Sequence, residues 1–117
     1  MRHLSTASVL ASVGLLLSFG PVTAQERFGG VTGTVTDASG GVLPGATVNI
    51  TKQTTGSVRT VVTGSDGTYA VNDLDPGRYA VEFELQGFSR LELPEVNVLL
   101  GRHLRVDSQM RVGSVTE

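Results

Sequence analysis

Side chains able to carry chemistry are scarce in this 117-residue chain, which holds two histidines and no cysteine. His103 is the one histidine beyond the first few residues, flanked by Arg102 and followed by Arg105. A general base needs a partner to orient it and a pocket for its substrate. The neighbourhood supplies neither a Ser–His–Asp set nor paired carboxylates, so His103 reads as solvated or salt-bridged. Asp37, Asp66, Asp73 and Asp75 all fall in Gly- and Pro-rich segments. Flexible loops carrying several carboxylate and carbonyl oxygens suit a hard cation such as calcium. No loop here has the dense D-x-D-x-D spacing of a dedicated site, and turn aspartates that bond their own backbone account for all four. If calcium is held, Asp73 and Asp75 with a backbone carbonyl are the pieces; no other metal or cofactor is expected. Lys52, the single lysine, raises the lysine–asparagine cross-link of surface-protein sandwiches. That link needs a buried amine beside an amide or carboxyl, and a position near a strand end puts Lys52 in solvent instead. Sugar recognition uses exposed aromatic platforms beside polar groups. There is no Trp, and only Phe28 and Phe88 stand outside the alternating runs described below. Phe88, just past Gly87, suits a plug for a sandwich edge as well as it suits a ligand.

Composition narrows the options further. The formal net charge is −2, with 17% charged residues placed singly rather than in runs. That balance argues against a nucleic-acid binder or an electrostatic membrane-surface binder. Without cysteine there is no disulfide framework, thiolate metal site or lipid-anchored thiol. Stability must come from packing.

The elements that would position these residues begin after a leader. Met1-Arg2-His3, an apolar run from Val9 to Phe19 and then Pro21-Val22-Thr23-Ala24 follow the three-part plan of a secretory signal. The run is shorter than the roughly 20 residues a membrane span requires. A cleavable signal helix over 1–24, cut after Ala24, is the expectation. The mature chain then does not span the membrane.

Beyond it, turn clusters recur: Asp37-Ala38-Ser39-Gly40-Gly41, Pro44-Gly45, Thr55-Gly56, Ser65-Asp66-Gly67, Asp75-Pro76-Gly77, Gln86-Gly87 and Leu100-Gly101. Glycine supplies positive φ, proline presets φ, and Asp or Ser bonds nearby backbone. Pro44-Gly45 suits the centre of a type II turn, and Pro76-Gly77 repeats that chemistry. Asp66-Gly67 suits a tight hairpin turn. Between the turns apolar residues alternate with period two. Val31, Gly33 and Val35 form one such set, Ala46, Val48 and Ile50 a second, and Tyr79, Val81, Phe83 and Leu85 the clearest. Further strands are read over Ser57 to Thr63, Gly67 to Val71, Leu91 to Leu99 and His103 to Val112. In the last, Leu104, Val106 and Met110 take the core side. No segment keeps a helical apolar period for three turns. The prediction is all-β: about seven strands in two antiparallel sheets packed as a sandwich, with a partial barrel as competitor.

The order Gly30-Val31-Thr32-Gly33-Thr34-Val35-Thr36-Asp37, Gly41 to Val48, Asp66-Gly67-Thr68-Tyr69, Leu74 to Tyr79 and Gly87-Phe88 resembles the carboxypeptidase regulatory-like domain. The resemblance runs from Gly30 to Phe88, and Val96 to Val112 continues it as last strands. It implies a prealbumin-like (transthyretin-like) sandwich, of the kind grouped with carbohydrate-binding-like folds, acting as an accessory rather than a catalyst. A urate-pathway hydrolase shares that fold, but it relies on several histidines, an arginine and a tyrosine-rich tail that are missing here. The chain also looks like the start of TonB-dependent, Oar-like outer-membrane receptors, in which this domain follows the signal directly and precedes a plug and barrel. The expected organisation is signal over 1–24, a short lead-in over 25–29, the sandwich over 30–112 and a tail or linker start over 113–117.

The expected role is therefore an exported, non-enzymatic contact module in the periplasm or on the periplasmic face of the outer membrane. The chain is expected to be a truncated receptor product or a free domain, its partner an envelope or outer-membrane receptor protein. Contact is expected through an edge strand or the loops Asp37 to Gly45 and Asp73 to Gly77, with Asp37, Ser39, Pro44, Asp73, Asp75 and Phe88 as contact residues. A carbohydrate-binding module is the alternative, with glycan as partner, and a ligand-free spacer is third. No nucleic acid is expected.

Overall fold

A computed structural model describes residues 27–113, together with Gly14. The leader and its cleavage after Ala24 lie outside the described residues, as do 114–117. No helix among the described residues is long and apolar enough to cross a membrane. Eight strands follow in order: β1 (Gly29–Thr36), β2 (Thr47–Lys52), β3 (Val58–Val62), β4 (Thr68–Leu74), β5 (Gly77–Glu84), β6 (Leu91–Val98), β7 (His103–Arg105) and β8 (Ser108–Gln109). One sheet has the order β4-β1-β7, with β8 also on β1, and the other the order β3-β2-β5-β6.

The alternating runs bury as their period demands. Val31 and Val35 of β1, Val48 and Ile50 of β2, Tyr69 and Val71 of β4, Tyr79, Val81 and Phe83 of β5, and Val96 and Val98 of β6 fill the space between the sheets. The ring of Tyr69 meets Phe83 edge to face at 5.7 Å, so the two sheets touch through aromatics. Gly33 interrupts the valine alternation for a steric reason. It lies opposite Tyr69 in the β1–β4 register, and a Cβ there would stand 1.8 Å from the Val106 carbonyl oxygen. That oxygen accepts the Tyr69 hydroxyl at 2.6 Å. The missing side chain leaves room for this contact.

The sandwich read from the sequence is present, with three local departures. First, the run from His103 to Val112 is two strands rather than one, and both pair parallel with β1. The break falls where the Thr34 N–H donates to Asp107 Oδ1 at 2.9 Å. A carboxylate takes the acceptor position that a continuous ladder would give to backbone. Leu104, expected on the core side, is 40% exposed because β7 is a three-residue edge. Second, Asp66-Gly67 turns as expected, with Gly67 at φ +74° and Asp66 Oδ1 accepting from the Thr68 N–H and hydroxyl. It joins β3 to β4 across the two sheets instead of closing a hairpin. Third, Pro76-Gly77 does not repeat the Pro44-Gly45 turn: Gly77 sits at φ 153°, and the left-handed residue is Asp73 at φ 57°. The Tyr79 hydroxyl donates to the Asp75 carbonyl at 2.6 Å and fixes this crossing between sheets.

Register assigns the loops to two opposite ends. Thr47 faces Glu84, Thr36 bridges Val42 and Phe88 bridges Val112, which gathers the loops 37–46, 63–67 and 85–90 with residues 110–113 at one end. Gly29 faces Leu74, and the Gly101 N–H donates to the Phe28 carbonyl. Phe28, 53–57, 75–76 and 99–102 therefore share the other end.

Candidate functional site

The residues expected to make contacts do not form one surface. Asp37, Ser39, Pro44 and Phe88 lie at the first end; Asp73 and Asp75 lie at the second, the full length of the strands away. The expected loop Asp73 to Gly77 is also shorter than read, since Asp73 belongs to β4 and Gly77 to β5.

At the first end the loop after β1 is held by one carboxylate. Asp37 Oδ1 accepts from the Ser39 hydroxyl at 2.6 Å and from the N–H groups of Ser39 and Gly41 at 2.9 Å. The Ser39 hydroxyl, with these amides, holds the Asp37 carboxyl below its ordinary value. Gln109 Nε2 ties the loop to β8 by donating to the Asp37 carbonyl at 3.1 Å. The next turn is built around a buried threonine. Pro44 supplies the fixed φ and Gly45 the positive one, +78°. Thr63 Oγ1 stands between the two groups that such a turn ordinarily joins, accepting from the Ala46 N–H at 2.8 Å and donating to the Leu43 carbonyl at 2.6 Å. Thr63 is 4% exposed, so the turn is pinned from inside the fold.

Between this turn and the loop after β5 lies an open cleft of about 620 Å³ lined by Gly45, Thr47, Glu84, Leu85, Gln86, Phe88 and Arg90. Phe88 is half-buried and packs against the core, so only part of its ring is open to the cleft. Arg90 Nε lies 2.8 Å from Glu82 Oε1 and also bonds Glu84 Oε1. A hydrogen bond between the two carboxyls raises Glu82 above its ordinary value. The bond from Arg90 lowers Glu84. The cleft wall thus carries one guanidinium bonded to two carboxyls, with hydrogen-bonding capacity. Glu84, Gln86 and Arg90 were not singled out from sequence. The signal available was an acid and an arginine six residues apart across a Gly-containing turn.

At the second end Lys52 is less exposed than its place at a strand end suggested, its side chain 20% accessible, and its Nζ lies 3.8 Å from Asp75 Oδ2. Asp73 and Asp75 make no side-chain bond to their own backbone, unlike Asp37 and Asp66. Among the described residues no three His, Asp or Glu side chains converge as a metal set. A smaller cleft of about 280 Å³ is lined by Arg27, Phe28, Gly29, Asn72, Asp73 and His103. His103 is exposed, and its ring lies where a Cβ on Gly30 would fall.

Solved structures with this architecture are distant in sequence. The Bacillus anthracis TIE protein superposes with a TM-score of 0.63 at 18% identity over 74% of this chain and 17% of its own. The minor pilin of Streptococcus agalactiae does so with 0.62 at 12% identity, over 80% of this chain and 48% of its own. A candidate carbohydrate-binding protein from Bacteroides uniformis gives 0.58 at 20% identity, over 69% and 40%. The chain spans less than half the length of each, and at these identities the likeness establishes fold alone. No curated protein matches the chain in sequence. The carboxypeptidase regulatory-like domain matches residues 30–111, which takes in every strand but the first residue of β1. The chain belongs to the carboxypeptidase regulatory-like domain family and has a β-sandwich fold.

Proposed function

We propose that this chain is an exported contact module, the N-terminal periplasmic part of a TonB-dependent outer-membrane receptor system, and that it binds its protein partner through the Pro44 end. The single observation carrying the reading is the convergence there of the pinned Pro44-Gly45 turn, the Asp37-held loop and the Phe88 cleft. Loops held by internal hydrogen bonds lose little conformational freedom on binding, which favours recognition of a partner. The family membership and the signal-like leader support an accessory role outside the cytoplasm. Capture from envelope extract tests it. The wild-type chain retains an outer-membrane receptor, and Ser39→Arg with Pro44→Arg loses it.

The cleft favours a second reading. Phe88, Gln86, Glu84 and Arg90 offer an apolar edge beside donors and acceptors, a composition suited to a polyol, and one fold neighbour is described as carbohydrate-binding. Glycan-array binding that disappears in Phe88→Ala, with the fold retained by circular dichroism, would favour this module over protein contact. Retention of neither receptor nor glycan leaves the spacer.

A further inference from the structure

The two sheets present edges at β4, β7 with β8, β6 and β3, and an exposed edge offers unpaired backbone groups to another chain unless something blunts it. Three of these edges are blunted. β6 carries Pro94, which has no N–H, a bulge opposite Tyr79 to Val81, and the acids Glu92 and Glu95. β7 and β8 are three and two residues long. β4 is twisted by Asp73 at φ 57°, and the Arg59 guanidinium caps its Asn72 and Asp73 carbonyls.

β3 has none of these devices. It runs Val58-Arg59-Thr60-Val61-Val62 without proline, glycine or bulge. The bonds from the Lys52 N–H to the Ser57 carbonyl and from the Thr63 N–H to the Ala46 carbonyl set the ladder phase. Ser57, Arg59, Val61 and Thr63 turn their backbone groups to β2, and Val58, Thr60 and Val62 turn theirs outward. Val58 and Val62 are 55% and 59% exposed. The strand's one charge, Arg59, reaches toward β4.

We propose that β3 is a self-pairing edge through which two copies of this chain associate as an antiparallel two-fold dimer centred on Thr60. The pattern of the strand is self-complementary about that residue. Val58 meets Val62 of the second copy, Thr60 meets Thr60, and the pairing forms about six backbone hydrogen bonds. Arg59 falls opposite Val61, so like charges are not juxtaposed. The result is a continuous eight-stranded sheet with an isologous interface. A five-residue edge covers well under the roughly 1,200 Å² of a standard interface, so the dissociation constant expected is about 10–100 µM.

Sedimentation equilibrium of the purified full chain reads this association, and a cysteine-free sequence permits a positional check. Thr60→Cys places two thiols across the two-fold axis at a Cα separation of about 5.5 Å, within disulfide range. Mild oxidation then yields a linked dimer, while Thr54→Cys, on a loop at the second end, stays unlinked. Val62→Lys weakens association at least tenfold with unchanged circular dichroism. The proposal is overturned by a chain that stays monomeric to about 1 mM, by a dimer that Val62→Lys leaves intact, or by a Thr60→Cys variant that links no more readily than Thr54→Cys. The proposed receptor contact uses the loops of the Pro44 end rather than the β3 edge and is tested separately, by Ser39→Arg with Pro44→Arg.

Discussion

Replacing Thr63 with valine tests whether the Pro44 end is pinned from within. The hydroxyl joins two buried backbone groups, the Ala46 N–H at 2.8 Å and the Leu43 carbonyl at 2.6 Å. Valine has the same shape but puts a methyl where the oxygen stood. That methyl holds the two groups apart, so neither can bond the other and neither reaches water. Leaving a buried backbone group unpaired costs about 1–3 kcal/mol, and with partial relaxation the pair amounts to about 2–4 kcal/mol. For a domain of this size each kcal/mol lowers Tm by about 4–8 °C, so Thr63→Val should melt about 10–25 °C below wild type in a circular-dichroism scan. Thr63→Ala is the discriminating control. It leaves space for the Ala46 N–H to bond the Leu43 carbonyl directly, as an ordinary type II turn does, and should cost only about 1 kcal/mol. Thr63→Ser keeps the hydroxyl and should stay close to wild type. A Thr63→Val melt within about 3 °C of wild type, or an alanine variant less stable than the valine one, refutes the reasoning.

Other consequences follow from particular contacts. Gly33→Ala drives a Cβ into the Val106 carbonyl, 1.8 Å away, and should lower urea stability by about 3 kcal/mol or prevent folding, as overpacking at a backbone neighbour does. Ser108 is buried with a hydroxyl that finds no partner among the described residues. Ser108→Ala should raise the urea midpoint by the equivalent of about 1 kcal/mol, since it removes an unsatisfied group. Burial raises the Tyr69 and Tyr79 hydroxyls above their ordinary value. Their contribution is complete below about pH 10 and is lost as pH climbs past the unfolded value, so alkaline titration should begin to unfold the chain there, later in Tyr69→Phe. Asp37, Asp66 and Asp107 are shifted the other way by the hydrogen bonds they accept. What they contribute is present above their unfolded value of about 3.9 and lost as pH falls below it. Protection of the Ser39 and Gly41 amides from hydrogen exchange should fall toward none in that window, and already at neutral pH in Asp37→Ala.

The strands were legible in the sequence because a half-buried strand writes itself as period two. Tyr79, Val81 and Phe83 bury while Glu82 and Glu84 stay outside, as their alternation requires. The Pro44-Gly45 turn was legible because proline and glycine each fix a dihedral. What escaped was set by groups distant in sequence. The break between β7 and β8 depends on a bond from Thr34 to Asp107, 73 residues apart. The failure of Pro76-Gly77 to repeat the earlier turn depends on Asp73 taking the left-handed position and on Tyr79 anchoring Asp75. The candidate site was legible only in part. Asp37, Ser39, Pro44 and Phe88 converge, but their separation from Asp73 and Asp75 is a matter of topology, which no local pattern records. Glu84 and Arg90 read as ordinary strand-face charges until the cleft between them and Gly45 is seen.

The most direct test of a protein-contact module that works from the Pro44 end is position-specific photo-crosslinking in the intact cell envelope. A photoreactive residue at Ser39 samples that end, and one at Thr54 samples the opposite end. The account predicts a crosslink to an outer-membrane receptor from Ser39 and none from Thr54, with glycan arrays silent. A receptor crosslink from Thr54 alone, or glycan binding that Phe88→Ala abolishes, would contradict it.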